Sequence, residues 1–283
     1  MTTLISPQDF TSITTKLRTF FNDLGFLEVH TQNRLSILAA CEDPTTVSTY
    51  DYAGKIWPLP QTGQMWLEYE LLQNPDLKGV YCLSTSYRQE QNPVEGRHDL
   101  IFPMFEFEAP GTFDDLIKME ENLCCHLGFR PCVYPIKRYT EWQEEFDTTE
   151  ELNHEHEKLI SESLAEGQTD SSGVGFITHF PYSTSPFWNM KKEGDYANKC
   201  DVIIGGMETI GSAERSADTV EMREQFHTIS DGEYASLLYE LFGEERVEKE
   251  LEEFLSYDFF PRYGGGIGVT RLISAFENCG VAE

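Results

Sequence analysis

Positive charge is scarce in this sequence. Its 283 residues include 21 Lys and Arg against 49 Asp and Glu, a formal net charge of −28. Such a field repels a polyanion at long range, so extensive nucleic-acid contact is not expected. Solvation of the surface is the plain account of the acidity. Long apolar runs are also missing. No stretch approaches the roughly 18 residues that a membrane-spanning helix needs. The N-terminal segment MTTLISPQDF has neither the basic nor the apolar region of a signal peptide. A soluble, cytoplasmic protein with no membrane partner is the expectation. Seven cysteines make an odd count with no CxxC pair, which favours reduced thiols over a zinc site. What is present suffices for a folded core: 40% of the residues are hydrophobic and 13% aromatic, which excludes global disorder.

Periodicity gives the element order. Ser6 can cap a helix with Pro7 in its first turn. Phe10, Ile13, Leu17, Phe20, Phe21 and Leu24 then recur at helical spacing up to Gly25. Phe26–His30 alternates as a strand, and a polar loop covers 36–60. Met65–Gln73 reads as a helix. Val80–Tyr87 and Phe102–Ala109 read as two strands joined by a charged loop over 88–99. Phe113–Leu127 is a helix, and 148–168 a Glu-rich solvated helix in an insertion, lined by Leu152, Leu159 and Leu164. A turn is expected over 170–175. Strand candidates follow at Phe176–Phe180, Phe187–Met190, Cys200–Ile204 and Thr209–Gly211. Asp218–Phe226 and Glu233–Leu255 are helical, and the glycine run 264–268 leads into a last helix, Val269–Phe276. No repeat is visible, and no regular crossover helices separate the strands. One α+β domain over 1–283 is predicted, a mostly antiparallel sheet flanked by helices.

Four clusters carry candidate chemistry. The first is the hairpin from Tyr87-Arg88-Gln89-Glu90 through Arg97-His98 to Phe102. A guanidinium fork at Arg88 suits a phosphate and a carboxylate together. Glu90 can accept from an adenine amino group, Arg97 and His98 can hold outer phosphates, and Phe102 or Phe105 can stack on the base. The second is Asp201 and Glu208, seven apart across Gly205-Gly206; two hard carboxylates suit magnesium shared with phosphates. The third is Arg215, placed to reach a substrate carboxylate or amide. The fourth is the run Gly264-Gly265-Gly266-Ile267-Gly268 followed by Arg271, where glycines admit a nucleotide and Arg271 can face a phosphate. Each cluster alone also fits a bland reading: a surface hairpin, strand-end carboxylates, a surface salt bridge or a turn.

In this order the clusters resemble the catalytic core of the class II aminoacyl-tRNA synthetases, most closely the aspartyl/asparaginyl branch. GFLEVHTQ resembles the family's first motif, YRQE with the following RH its second, and GGGIGVTRL its third. CDVIIGGME is similar to the branch's metal-binding acids, and ETIGSAER to the segment that faces the amino acid. In QTGQMWLE, Gln64 stands where a glutamine helps to hold the amino acid. The resemblance implies an ATP-dependent, AMP-forming ligase. Arg88 and Arg271 would be catalytic. Arg88, Glu90, Arg97, His98, Phe102, Glu208 and Arg271 would bind ATP, and Gln64, Arg88 and Arg215 the amino acid. Asp201 and Glu208 would hold Mg2+.

The departures bear on the acceptor. Gln32 stands where the first motif carries proline, which touches the usual homodimer contact. Ile101 stands where the second motif has Glu, and Thr270 where the third often has Glu. Leu67 pulls the other way: it stands where aspartyl enzymes place a Lys and is more like asparaginyl enzymes. The other departures, together with the expectation that no OB-fold anticodon-binding domain precedes the first helix, resemble ammonia-dependent asparagine synthetase. The expected reaction is therefore activation of aspartate, with ammonia or a small amine as acceptor and no tRNA partner. Two alternatives stand beside it: aminoacylation of tRNA with asparagine or aspartate, and a non-catalytic paralogue that binds an amino acid or nucleotide.

Overall fold

The protein is described by a computed structural model covering residues 5–31, 35–37, 46–90, 93, 99–130, 132–165, 173–184 and 186–281. Gln32, Arg97 and His98 lie outside these residues, as do residues 170–172 of the turn expected over 170–175.

Helix α1 (Pro7–Asp23) starts at Ser6, whose hydroxyl accepts from the Asp9 N–H at 3.4 Å. The strands β1 (Leu27–Glu28), β4 (Val80–Tyr87) and β5 (Ile101–Pro110) open a sheet that has nine strands among the described residues. Between β1 and β4 come a separate hairpin, β2 (Thr49–Tyr52) and β3 (Lys55–Pro58), and helix α2 (Gln64–Gln73). That hairpin falls in the segment expected as loop. Helix α3 (Phe113–Leu127) follows β5. Then come β6 (Ile136–Arg138), α4 (Tyr139–Glu145), α5 (His154–Ala165) and β7 (Gly175–Pro181).

Next are β8 (Lys192–Glu193), β9 (Tyr196–Ile204) and β10 (Met207–Arg215), then α6 (Thr219–Thr228), α7 (Glu233–Phe242) and α8 (Glu244–Leu255). The chain closes with β11 (Arg262–Gly268) and α9 (Val269–Asn278). The sheet order is β1-β4-β5-β11-β10-β9-β7-β6, with β8 on β9. The pairs are antiparallel except β1–β4 and β6–β7. This is the predicted α+β architecture, and the glycine run that leads into α9 is one of its central strands.

One sheet face packs on α1, α3 and α9 through a core that includes Phe21, Phe105, Phe107, Ile210, Ile267 and Leu272. The other face carries the cleft. Helices α2, α6, α7 and α8 form a second apolar cluster around Trp188 and Phe254.

Several expectations need correction. Phe187–Met190 is a turn with one bridge, Met190 to Arg215, and not a strand. The long helix expected over 233–255 breaks at Gly243, where φ is +89°. In the insertion, Ile160 rather than Leu159 is the buried residue; it packs with Trp142 and Phe180, so α5 is docked on the sheet and not simply solvated. Cys125 and Cys132 are joined as a disulfide, against the expectation of thiols alone. Cys125 lies in the last turn of α3, and the chain beyond the helix brings Cys132 back to a Cα separation of 5.1 Å, well suited to a bridge.

Candidate active site

Strand alternation sorts the central residues onto two faces. On β5, Phe105 and Phe107 enter the core while Glu106 and Glu108 face the cleft. Phe105 is thus a core residue, which leaves Phe102 as the ring available at the cleft. On β11, Gly264 is paired with Glu108. A Cβ on residue 264 would stand 1.6 Å from Oε2 of Glu108, so only glycine lets that carboxylate lie across the sheet.

The β9–β10 hairpin explains the seven-residue spacing of the acids. It turns at Gly205-Gly206, both at positive φ (59° and 87°), a region that costs glycine little. Pairing then runs Glu208 to Ile203, but Ile210 to Val202 and Gly211 to Asp201. Thr209 is therefore the extra residue of a β-bulge, which re-aims Glu208 onto the face of Asp201. A Cβ on Gly211 would lie 2.9 Å from Oε1 of Glu208 and 3.7 Å from Oδ1 of Asp201. Two hard carboxylates thus flank a cradle that a side chain would fill, and they fit a Mg2+ that also bonds phosphate oxygens.

Gln64, Arg88, Glu90, Phe102, Glu208, Arg215 and Arg271 all line one cleft of about 230 Å³. The guanidinium of Arg88 lies 5.5 Å from the Phe102 ring centre. Nη1 of Arg271 donates to the Glu208 carbonyl at 2.8 Å and lies 3.5 Å from its carboxylate. Thus α9, starting where the glycine strand ends, delivers its arginine to the metal-type acids.

Arg215 is buried at the cleft floor. Its Nε and Nη2 donate to the two oxygens of Glu108 at 3.2 and 3.3 Å, and Nη2 also donates to Oε1 of Gln64 at 2.9 Å. Below it, Arg262 bonds Glu68 and donates to the Ser216 carbonyl. Burial pushes the Glu108 carboxyl up to about 7, against the pull of Arg215. Glu106 accepts from Gly63 N at 2.8 Å, from Ser84 Oγ at 2.6 Å and from Thr62. Burial raises its pKa, while the bonds from Ser84, Thr62 and Gly63 lower it.

Glu68, Glu106, Glu108, Lys199 and Arg262 have no assigned site role in the sequence reading, although Glu108 ends the FEFE strand ten residues after His98. Lys199 lines the cleft with Nζ 3.4 Å from Asp201. The signals were present: Lys199 and Asp201 share a face at i and i+2, and the Phe-Glu-Phe-Glu alternation puts two acids opposite a core face.

Comparison with known proteins gives the family and the fold. The chain matches the family described as tRNA synthetases class II (D, K and N) over residues 8–279. It is 28% identical to the cytoplasmic asparagine–tRNA ligase of Mus musculus, covering 94% of this chain and 50% of that protein. It is 26% identical to the asparagine–tRNA ligase of Desulforamulus reducens, covering 91% and 62%. The fold is similar to Pyrococcus horikoshii asparaginyl-tRNA synthetase complexed with asparaginyl-adenylate, with a TM-score of 0.74, 20% identity and 95% and 64% coverage. The chain spans between half and two thirds of the length of these proteins. With the family matched over nearly its whole length, the chain belongs to the class II tRNA synthetases of the D, K and N group.

Proposed function

We propose that this chain activates asparagine with ATP, giving asparaginyl-AMP and pyrophosphate, and passes the asparaginyl group to a tRNA 3′ end. The observation that carries the choice of amino acid is the pairing of Arg215 with Glu108. A lone arginine at the cleft floor would call for the side-chain carboxylate of aspartate. An arginine already matched by a carboxylate offers a donor and an acceptor side by side, which suits a neutral amide. The similarity to asparagine–tRNA ligases supports tRNA rather than ammonia as the acceptor.

In this reading, Phe102 stacks on adenine and Glu90 accepts from its amino group. Arg88, with Nε buried and unpartnered among the described residues, takes the α-phosphate and the amino-acid carboxylate. Arg97, His98 and Arg271 hold the outer phosphates. Gln64 and Glu106 receive the α-ammonium. A carboxylate oxygen attacks the α-phosphorus, the bond to the bridging oxygen breaks, and pyrophosphate leaves. Then a ribose hydroxyl attacks the acyl carbon and AMP leaves. Magnesium, held by Asp201 and Glu208, would neutralise phosphate charge. The rest is positioning and preorganised charge, so no proton-transfer residue is required for activation.

A homodimer and a cytoplasmic setting belong to the same proposal. The open β1 edge, where Leu27 is exposed, is the place for the dimer contact, and light scattering reads it directly. Among the described residues no helix is long and apolar enough to cross a membrane.

A second reading activates aspartate and lets ammonia capture the adenylate. The charge of −28 favours a small acceptor. One assay separates the two. The protein is incubated with ATP, Mg2+ and asparagine or aspartate, with total tRNA or with ammonium, and the products are identified by mass. Asparaginyl-tRNA and AMP are expected. Asparagine made from aspartate and ammonium would replace the first reading with the second.

A further inference from the structure

Helix α5 packs against the β9–β10 hairpin that carries the carboxylate pair, and its contacts there are specific. Oε2 of Glu157 accepts the backbone N–H of Glu208 at 2.8 Å. One turn further along, Ser161 Oγ accepts the N–H of Gly206 at 2.8 Å and donates to the Gly173 carbonyl at 2.9 Å. Residues four apart share a helix face, so one face of α5 carries two anchors to the β9–β10 hairpin.

We propose that Glu157 is a positioning residue: it fixes the Glu208 carboxylate for metal–ATP binding, so the insertion sets the strength of that site. This rests on the adenylate-forming reading of the cleft. The bulge at Thr209 interrupts the regular ladder next to Glu208, so strand pairing alone does not hold its peptide. Glu157 holds the N–H side and Arg271 the C=O side, each at 2.8 Å. Ile160 is fully buried against the Trp142 and Phe180 cluster, which fixes α5 to the sheet and makes the anchor rigid. The turn is held from the opposite side as well, where Asn278 of α9 donates to the Gly205 carbonyl at 3.4 Å.

The test uses the full chain with Glu157→Ala and Glu157→Gln. Groups that orient a metal ligand typically change metal affinity by about tenfold or more when removed. In asparagine-dependent ATP–pyrophosphate exchange, E157A should raise the half-saturating Mg2+ concentration by about tenfold. Half-saturating asparagine should not move. E157Q retains a carbonyl that can accept the Glu208 N–H and should stay close to wild type. An unchanged Mg2+ requirement in E157A would overturn the proposal, even with a lowered melting temperature. So would E157Q as impaired as E157A. Mn2+ binding in the presence of ATP, read by electron paramagnetic resonance, tests the same point without any reaction. If the wild type shows no asparagine-dependent exchange, the functional reading fails. The Glu157 proposal then stands if E157A weakens Mn2+ binding and falls if it does not.

Discussion

Arg215 grips both oxygens of Glu108, with Nε at 3.2 Å and Nη2 at 3.3 Å, at the floor of the cleft. The pair is matched in charge only while Glu108 is ionised.

Amino-acid preference should therefore depend on pH. Burial lifts Glu108 to about 7, so the carboxylate is present above that pH and is lost as pH falls through it. Protonation removes the carboxylate that Arg215 grips; Glu68, 3.9 Å away, is shared with Arg262, so the anionic side chain of aspartate is favoured. The ratio of kcat/KM for asparagine over aspartate should fall from pH 8 to pH 6. The shift is roughly tenfold if protonation of one group controls it. Glu108→Gln should flatten the ratio. A constant ratio in the wild type would remove Glu108 from specificity.

Arg271→Ala should leave the fold intact and abolish most activity. Arg271 is partly exposed, and its bond to the Glu208 carbonyl lies at the cleft rather than in the core. Loss of one preorganised charge in comparable sites lowers kcat by about 10²–10³. Circular dichroism should match the wild type while exchange falls to that extent. Near-normal turnover would detach the third motif from ATP.

Glu120 on α3 lies fully buried behind the sheet, and burial pushes it up to about 8. Its folded pKa stands above the ordinary value of 4.5, so the native state favours the protonated form. Its contribution to stability is fully present below about pH 4.5 and is lost as pH rises towards 8, at about 1.4 kcal/mol per pH unit at most. Glu120→Gln should therefore gain stability relative to wild type at pH 8 and none at pH 4. Urea unfolding at both values measures the difference. An equal effect at both would mean that Glu120 titrates normally.

Much of this fold was legible from apolar periodicity. Ile13, Leu17 and Phe21 mark the core face of α1 by spacing alone, and the arginines stand at fixed offsets from strand and glycine signals, whereas Phe105, a candidate to stack on a base, is a core residue. The buried ion network was harder to read. Glu68 and Arg262 lie 194 residues apart and bond each other only because α2 crosses β11. Their charges look solvated in sequence, and nothing local says otherwise. The bulge at Thr209 was equally hidden, because simple alternation puts Glu208 and Ile210 on one face. Phe187–Met190 reads as a strand by composition, yet Trp188 and Phe187 are turn residues buried against Phe226 and Tyr234. Tertiary packing overrides strand propensity there.

The central claim is that this cleft makes an adenylate of asparagine. Exchange of labelled pyrophosphate into ATP, with each amino acid in turn and no tRNA, tests it most directly. The account predicts Mg2+-dependent exchange with asparagine, much weaker exchange with aspartate at pH 8, and AMP as the nucleotide product once tRNA is added. Exchange independent of asparagine, or release of ADP and phosphate in place of AMP and pyrophosphate, would contradict it.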